Sequence, residues 1–412
     1  MSLPDSNATS RIFRAPWVVP VVTPVLSDGA VVMGQDVIED VGSFADISRR
    51  YPDVPVTNCP GVLLPALVNA HIHLELSVYG SVALPPGGSM CDWISSLLKM
   101  RQAAGFSEDE IQKAAEKAAQ HQYESGVGLM LDIGNAPLAP FFSAPVEVLS
   151  LREMLAPSKD AECATIAAIE DLPQDLAVTG HAPYSTTPGL LSYIKQRCNT
   201  QKSIFSLHLA ENLDESLLLT KAEGCFARFL KERGGFDSTF PVPGIDSRGV
   251  VGYLQKLGIL DEQSLCVHCV HMTHDEIQIL SESQAHVCLC PGSNRFLSVG
   301  IAPLEAFLEL KILPALGTDS IASNPSLDLW NEMALLRSNH PGVAAETVLK
   351  IATLGGAKAL HRENDYGSLA KGRYAKILHV GGTHYEGSIS GAQLIDRLTS
   401  CGKPDSIEWL AA

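Results

Sequence analysis

The chain of 412 residues has no apolar run long enough to span a bilayer, and its start lacks the charged-then-apolar pattern of a secretory signal. It therefore reads as neither a membrane partner nor an exported protein. Positive charge is scarce: 30 Lys and Arg stand against 46 Asp and Glu, a formal net charge of −16. A general nucleic-acid binder needs a basic face, so no nucleic-acid partner is expected. There is no internal repeat and no low-complexity stretch, which excludes a repeat array. The ten cysteines are scattered, and without a signal segment they read as reduced thiols in a cytoplasm and not as a disulfide framework. Cys266-Val-His-Cys269 with Cys288 and Cys290 could mimic a thiolate zinc site. Cys266 and Cys269 have opposite parity on a strand, however, and both segments read as buried strands.

A hydrophobic content of 46% with 18% charged residues is that of a globular protein with a large core. Such a length suits two or three domains, or one α/β barrel of about 250 residues with additions. In the middle of the chain, short apolar runs alternate with amphipathic stretches. Eight runs read as strands covered on both faces: Val62–Asn69, Gly128–Ile133, Val146–Ser150, Leu176–Thr179, Ser203–Leu207, Ser264–Val267, His286–Leu289 and Ile312–Leu316. The clearest helix runs from Glu108 to Glu124, with Ser107 and Glu110 as a capping box and Gly126 past its end. Other helical patterns cover Pro188–Gln196, Asp214–Glu232, His274–Ser283, Pro303–Glu309, Leu327–Ser338 and Ala344–Leu360. Eight such units close into a (β/α)8 TIM barrel. The two ends differ, with short β-like pieces between turn residues. The expected organisation is a small β-sandwich domain built from residues 1–63 plus 367–412, and a catalytic barrel over 64–366. The Gly- and Pro-rich segment Gly234–Gly249 is a candidate lid.

The chemistry sits at the strand ends. In His71-Ile72-His73 the two imidazoles project to the same side of the first strand. His181 ends the fourth strand, His208 the fifth, His268 the sixth and Asp319 the eighth. Structural histidines have no reason to recur at matching points of successive units, and in a barrel these ends converge on one face. His71, His73, His208 and Asp319 offer three imidazoles and one carboxylate, a set suited to one divalent ion, Zn²⁺ or the Fe²⁺ that shares such ligands. Such an ion lowers the pKa of bound water to about 7. Glu211, three residues past His208, can shuttle a proton, and His268 can stabilise transition-state charge. His271 and His274 are weaker candidates, at the start of the next loop or helix.

This ordered set, His71-x-His73, His208 with Glu211, His268 and Asp319, resembles the amidohydrolase superfamily over nearly the whole chain. His181 stands where a bridging carbamylated lysine would follow strand four, so the likeness is to the mononuclear, deaminase-type branch. Asn69-Ala-His-Ile-His-Leu-Glu-Leu-Ser77 and Cys290-Pro-Gly-Ser-Asn-Arg295 resemble the aminodeoxyfutalosine deaminases, although Gly292 stands where those enzymes often carry an arginine. Gly180-His-Ala-Pro-Tyr184 is similar to a segment of the adenosine, methylthioadenosine and S-adenosylhomocysteine deaminases. The resemblance implies metal ligands His71, His73, His208 and Asp319, with Glu211, His268 and Asp319 as the catalytic groups. It implies a small purine-type substrate whose amine-bearing ring carbon is attacked by metal-bound hydroxide, releasing ammonia. Candidate substrate contacts are His181, Trp93, Arg152 and Glu75, with Arg101 a second choice. Trp93 reads equally as a base-stacking or a helix-packing residue, and Arg152 equally as a substrate contact or a rim salt bridge. A homodimer is the oligomer common among such barrels. Guanine deaminase and s-triazine hydrolase chemistry remain alternatives in the same superfamily; a non-catalytic metal-binding scaffold is the alternative of another class.

Overall fold

The apolar run that starts at Val62 is divided between two sheets. The computed structural model describes residues 10–410 apart from 137, 140–144, 383, 384 and 386–388. It begins with β1 (Arg11–Val18), β2 (Leu26–Met33), β3 (Ile38–Ser43) and β4 (Val56–Asn58), then β5 (Val62–Pro65) and β6 (Leu67–Ile72). β5 pairs with β1, whereas β6 pairs in parallel with β7 (Val127–Gly134). The single strand expected over Val62–Asn69 is thus two. The partner changes within one residue: the Ala66 amide donates to the Lys376 carbonyl, and the Leu67 amide to that of Gly126.

After β7 follow β8 (Glu147–Met154), β9 (Val178–Gly180), β10 (Phe205–Leu209), β11 (Ser264–His268), β12 (His286–Leu289) and β13 (Ala315–Leu316). They form two parallel runs, β6-β7-β8-β9 and β10-β11-β12-β13. Two seams join the runs. At one, Ile72 bridges Asp319, and the His71 carbonyl accepts from the Thr318 and Asp319 amides at 3.1 Å each. At the other, the His208 amide donates to the His181 carbonyl at 2.9 Å, and Thr179 Oγ1 accepts from the Ser206 amide at 2.8 Å. The result is a (β/α)8 barrel. Both seams lie beside residues of the predicted site, so closing the barrel also assembles the site.

Inside the barrel Val68, Ala70, Leu129, Leu131, Ile133, Leu151, Leu265 and Val267 pack into one cluster. Each fully buried aliphatic side chain stabilises by about 1.5–3 kcal/mol. β14 (Ile377–Gly381) and β15 (Ser406–Trp409) extend the first sheet to the order β15-β14-β5-β1-β2-β3, with β4 beside β1. Both ends of the chain therefore contribute strands to one sheet; residues 1–9, 383, 384, 386–388, 411 and 412 of the span expected for the β-domain lie outside the described residues.

The helix Glu108–Glu124 begins at Ser107 with the capping box to Glu110, as its sequence indicates. Helices Met90–Ala104 and Lys159–Glu170 were not evident from apolar periodicity. The helix expected over Asp214–Glu232 is two, Leu213–Lys221 and Gly224–Glu232. Gly224 breaks it: its φ is +86°, and a Cβ there would lie 2.3 Å from Asp214 Oδ1, which accepts from the Cys225 amide. The expectation of reduced thiols fails for one pair. Cys91 and Cys225, 134 residues apart, form a disulfide joining Met90–Ala104 to Gly224–Glu232, and the other eight cysteines are free. Spacing carries no signal for a pair that only the fold brings together. Among the described residues, no helix is long and apolar enough to cross a membrane.

Candidate active site and metal centre

At the C-terminal ends of the barrel strands, one ligand atom from each of His71, His73, His208 and Asp319 lies within 4.8 Å of the others. His71 Nε2 and His73 Nε2 are 3.7 and 3.5 Å from Asp319 Oδ1. His208 Nδ1 donates to the His181 carbonyl at 2.8 Å, which leaves Nε2 as its free nitrogen. Both ring nitrogens of His71 and Nε2 of His268 are buried without a hydrogen-bond partner. A buried polar atom left unpaired costs about 1–3 kcal/mol. A cation among these groups supplies a partner for one of the His71 nitrogens, so the donor set fits a divalent metal, with imidazole and carboxylate ligands of the kind zinc takes.

Burial pushes His71 well below the usual histidine range and His208 down to about 4, so both imidazoles are neutral and ready to ligate. Asp319 is held well below the usual carboxylate range: burial opposes its charge, but His71, His73 and His268 outweigh that cost. Its carboxylate is further fixed by Ser293 and Ser323, whose hydroxyls donate to Oδ2 at 2.6 and 2.9 Å, and by the Ser320 amide, which donates to Oδ1 at 2.7 Å.

His268 reaches the site against the alternation of its strand. Leu265 and Val267 face the barrel interior, so regular pleating would send His268 outward. Left-handed backbone at His268 (φ +72°) and Cys269 (φ +48°) breaks that alternation. Each such residue costs roughly 1–3 kcal/mol and persists only where its surroundings over-determine it. Here Asn294 Oδ1 accepts from His268 Nδ1 at 2.9 Å. That bond turns Nε2 toward Glu211, whose Oε1 is 3.7 Å away. Burial, with Asp319 nearby, raises Glu211 well above the usual carboxyl range, which favours its protonated form.

A cavity opens over these groups. Its wall includes His73, Glu75, Trp93, Arg101, Glu153, His181, Tyr184, His208, Glu211, His268 and Asp319. His181 Nδ1 is 2.6 Å from Ser185 Oγ. Trp93 lies on the helix Met90–Ala104 and both packs and faces the cavity, with Nε1 donating to the Val82 carbonyl at 2.9 Å. Glu75 accepts from the Ala136 amide and sits 3.5 Å from Arg101 Nη2. Arg152 is not on the wall, but its neighbour Glu153 is. The third strand runs four residues beyond the expected Val146–Ser150, so Leu151 and Glu153 are buried while Arg152 and Met154 are only half-buried. His271 Nε2 is bound by the Val299 carbonyl at 2.7 Å, and no residue of Gly234–Gly249 lines the cavity. Cys266 and Cys269 face the helix layer while Cys288 and Cys290 face the barrel interior, so they build no common thiolate site. Sequence reasoning missed Glu153, Ser323 and the orienting role of Asn294. Alternation could have found the first, and the motif Cys290–Arg295 contains the last.

A family model described as the amidohydrolase family matches residues 62–397, and the chain belongs to that family. It is 29% identical over 376 residues to a 5-methylthioadenosine/S-adenosylhomocysteine deaminase of Syntrophobacter fumaroxidans, covering 85% of this chain and 80% of that protein. It is 31% identical over 363 residues to the enzyme of that name from Nitratidesulfovibrio vulgaris, covering 82% and 76%. Among solved structures it is similar to Helicobacter pylori aminofutalosine deaminase in complex with methylthio-coformycin: TM-score 0.81, 25% identity, 97% of this chain and 98% of that one.

Proposed function

We propose that the protein is a metal-dependent hydrolytic deaminase of an adenine-type nucleoside, with an aminodeoxyfutalosine-like substrate favoured. The observation that carries this reading is the placement of the buried Glu211 carboxyl on the same cavity wall as Asp319, His73 and His208, three members of the four-residue ligand set. Deamination at a ring carbon needs a proton donor for the adjacent ring nitrogen and a proton acceptor for the incoming water; burial shifts Glu211 toward its acid form, and the neighbouring imidazoles shift Asp319 toward its carboxylate form. The relatives named as deaminases support the same class.

His71, His73, His208 and Asp319 would hold the ion, with Zn²⁺ favoured. When bound, it supplies a Lewis acid that makes water a nucleophile at neutral pH. Glu211 gives its proton to the ring nitrogen beside the amine-bearing carbon, which makes that carbon electrophilic. Asp319 takes the proton from the attacking water. His268, its Nδ1 committed to Asn294, directs Nε2 at the attacking oxygen and stabilises charge there. The amine then departs as ammonia with a proton relayed through Glu211 or Asp319. His181 and Trp93 bind the substrate from the cavity wall, and Glu75 orders the wall through Arg101 and Ala136. A cytoplasmic location, where thiols are kept reduced, is supported by the eight free cysteines and opposed by the Cys91–Cys225 disulfide.

The test is ammonia release by the Zn²⁺-loaded protein from a panel of adenine-containing compounds that includes aminodeoxyfutalosine. Turnover of at least one member is expected. No turnover of any member with Zn²⁺, Fe²⁺ or Mn²⁺ would overturn the reading.

A further inference from the structure

Glu153 is a buried carboxylate on the cavity wall that the proposed reaction does not use. Its side chain is 5% exposed, and its Oε1 has no hydrogen-bond partner. The other oxygen is fixed: Asn135 Nδ2 donates to Oε2 and to the Glu153 carbonyl, both at 3.1 Å. Asn135 is itself held by Arg101 Nη1, which donates to Asn135 Oδ1 at 3.4 Å. One oxygen of the carboxylate is therefore anchored, and the other is buried beside the cavity with no partner. Native structures rarely leave a buried polar atom unpaired without a reason.

Two explanations internal to the site do not account for Oε1. It is 4.0 Å from His208 Nδ1, but that nitrogen already donates to the His181 carbonyl. For the same reason, the grouping of Glu153 with His181 and His208 lacks a third free donor and does not make a second ion site. Glu75, the neighbouring carboxylate, differs in having the Ala136 amide and Arg101 as partners. A carboxylate oxygen accepts hydrogen bonds and has no proton of its own to donate, so its missing partner is a donor.

We propose that Glu153 Oε1 is a specificity contact that accepts a hydrogen bond from a neutral O–H or N–H of the substrate. The inference rests on the nucleoside-deaminase reading above. Two parts of such a substrate carry that chemistry, a sugar hydroxyl and an amine on the ring carbon remote from the reaction. A hydrogen bond to a charged acceptor contributes about 1.5–3 kcal/mol, which corresponds to roughly 10- to 150-fold in kcat/KM.

The experiment compares the Zn²⁺-loaded wild type with Glu153→Gln on adenosine, its 2′-deoxy and 3′-deoxy forms, and 2,6-diaminopurine riboside. If a sugar hydroxyl is the donor, the wild type prefers the hydroxylated substrate and Glu153→Gln erases that preference. If the ring amine is the donor, the wild type gains on the diamino compound and the variant loses that gain. Either pattern supports the contact. A variant equal to the wild type on every substrate, or weakened by one common factor on all, overturns it, the latter meaning that Glu153 only orders the wall. The substrate series on the wild type needs no variant to fold, and indifference to all three changes also overturns the contact. If the wild type turns over none of these compounds nor aminodeoxyfutalosine, the underlying reading fails and the proposal falls with it, an outcome distinct from uniform turnover.

Discussion

Replacing Glu211 by glutamine isolates the proton it is proposed to deliver. The carboxyl is buried, and burial with the nearby Asp319 shifts it toward its protonated form. Glutamine is neutral and of the same shape, so it keeps the packing and can still hydrogen-bond, but it has no proton to transfer. Stability should change by less than about 1 kcal/mol, since no charge is removed from the interior and no cavity is made. The rate should suffer far more. General acid catalysis by a positioned side chain contributes about 10²- to 10⁴-fold, equivalent to roughly 3–5 kcal/mol of barrier. The loss should fall on kcat, with KM changed little, because the ring nitrogen gains the proton only in the reaction. The pH profile gives an independent check. A raised pKa means that Glu211 stays loaded into the neutral range and empties as pH rises through that pKa, so the wild-type rate falls on the alkaline side. The variant lacks this limb. Steady-state ammonia release across pH, with metal content measured on the same samples, supplies both readouts. If Glu211→Gln retains its metal and keeps kcat within about threefold of the wild type, Glu211 is not the acid.

Three further outcomes follow from the geometry. Chelating the metal should abolish activity, and restoring Zn²⁺ at about a hundredfold above its Kd should recover it while stabilising the fold by roughly 3 kcal/mol, read by thermal unfolding; an unshifted transition would mean that the four ligands do not bind an ion. Glu215 is pushed up to about 8 by burial, with one oxygen accepting from the Ala210 amide and the other unpartnered. Its folded pKa exceeds its unfolded one, so its contribution is fully present below 4.5 and is lost as pH rises to about 8. Glu215→Gln should therefore gain on the wild type by up to about 5 kcal/mol between acid and mildly alkaline solution, and parallel pH–stability curves would refute this. Reducing Cys91–Cys225 should cost about 2–5 kcal/mol and lower the unfolding temperature of the wild type but not of Cys91→Ser; equal behaviour of the two would show that the pair carries no constraint.

The proposed ligands were legible because barrel geometry converts a one-dimensional rule, a polar residue at each strand end, into a point in space. His71, His73, His208 and Asp319 obey that rule, and the cluster follows. Where the outcome depends on register, the sequence is weaker. Val62–Ile72 is buried throughout, so nothing in its hydrophobicity marks the change of sheet at Ala66. Arg152 and Glu153 are adjacent, and only the full extent of β8 decides which of them faces the cavity. His268 obeys the strand-end rule but reaches the site through positive φ, which no residue pattern announces. The two cysteines of the disulfide are ordinary in their local sequences.

The change of sheet at Ala66 also bears on how the chain acquires its site during synthesis. β5 needs β14 on one side, through Ile377 and Val380, and Asn69 Nδ2 bonds Thr318 Oγ1 across 249 residues. Contacts of such separation form only after the ordering entropy of the intervening chain has been met. A nascent chain therefore carries His71 and His73 at the end of a strand that can pair with β7 but lacks its other neighbour, next to Asp319, until most of the protein has left the ribosome. Deleting β14, which contributes no proposed ligand, should release β5, which leads directly into β6 through Ala66, and so weaken a metal centre built in the other sheet.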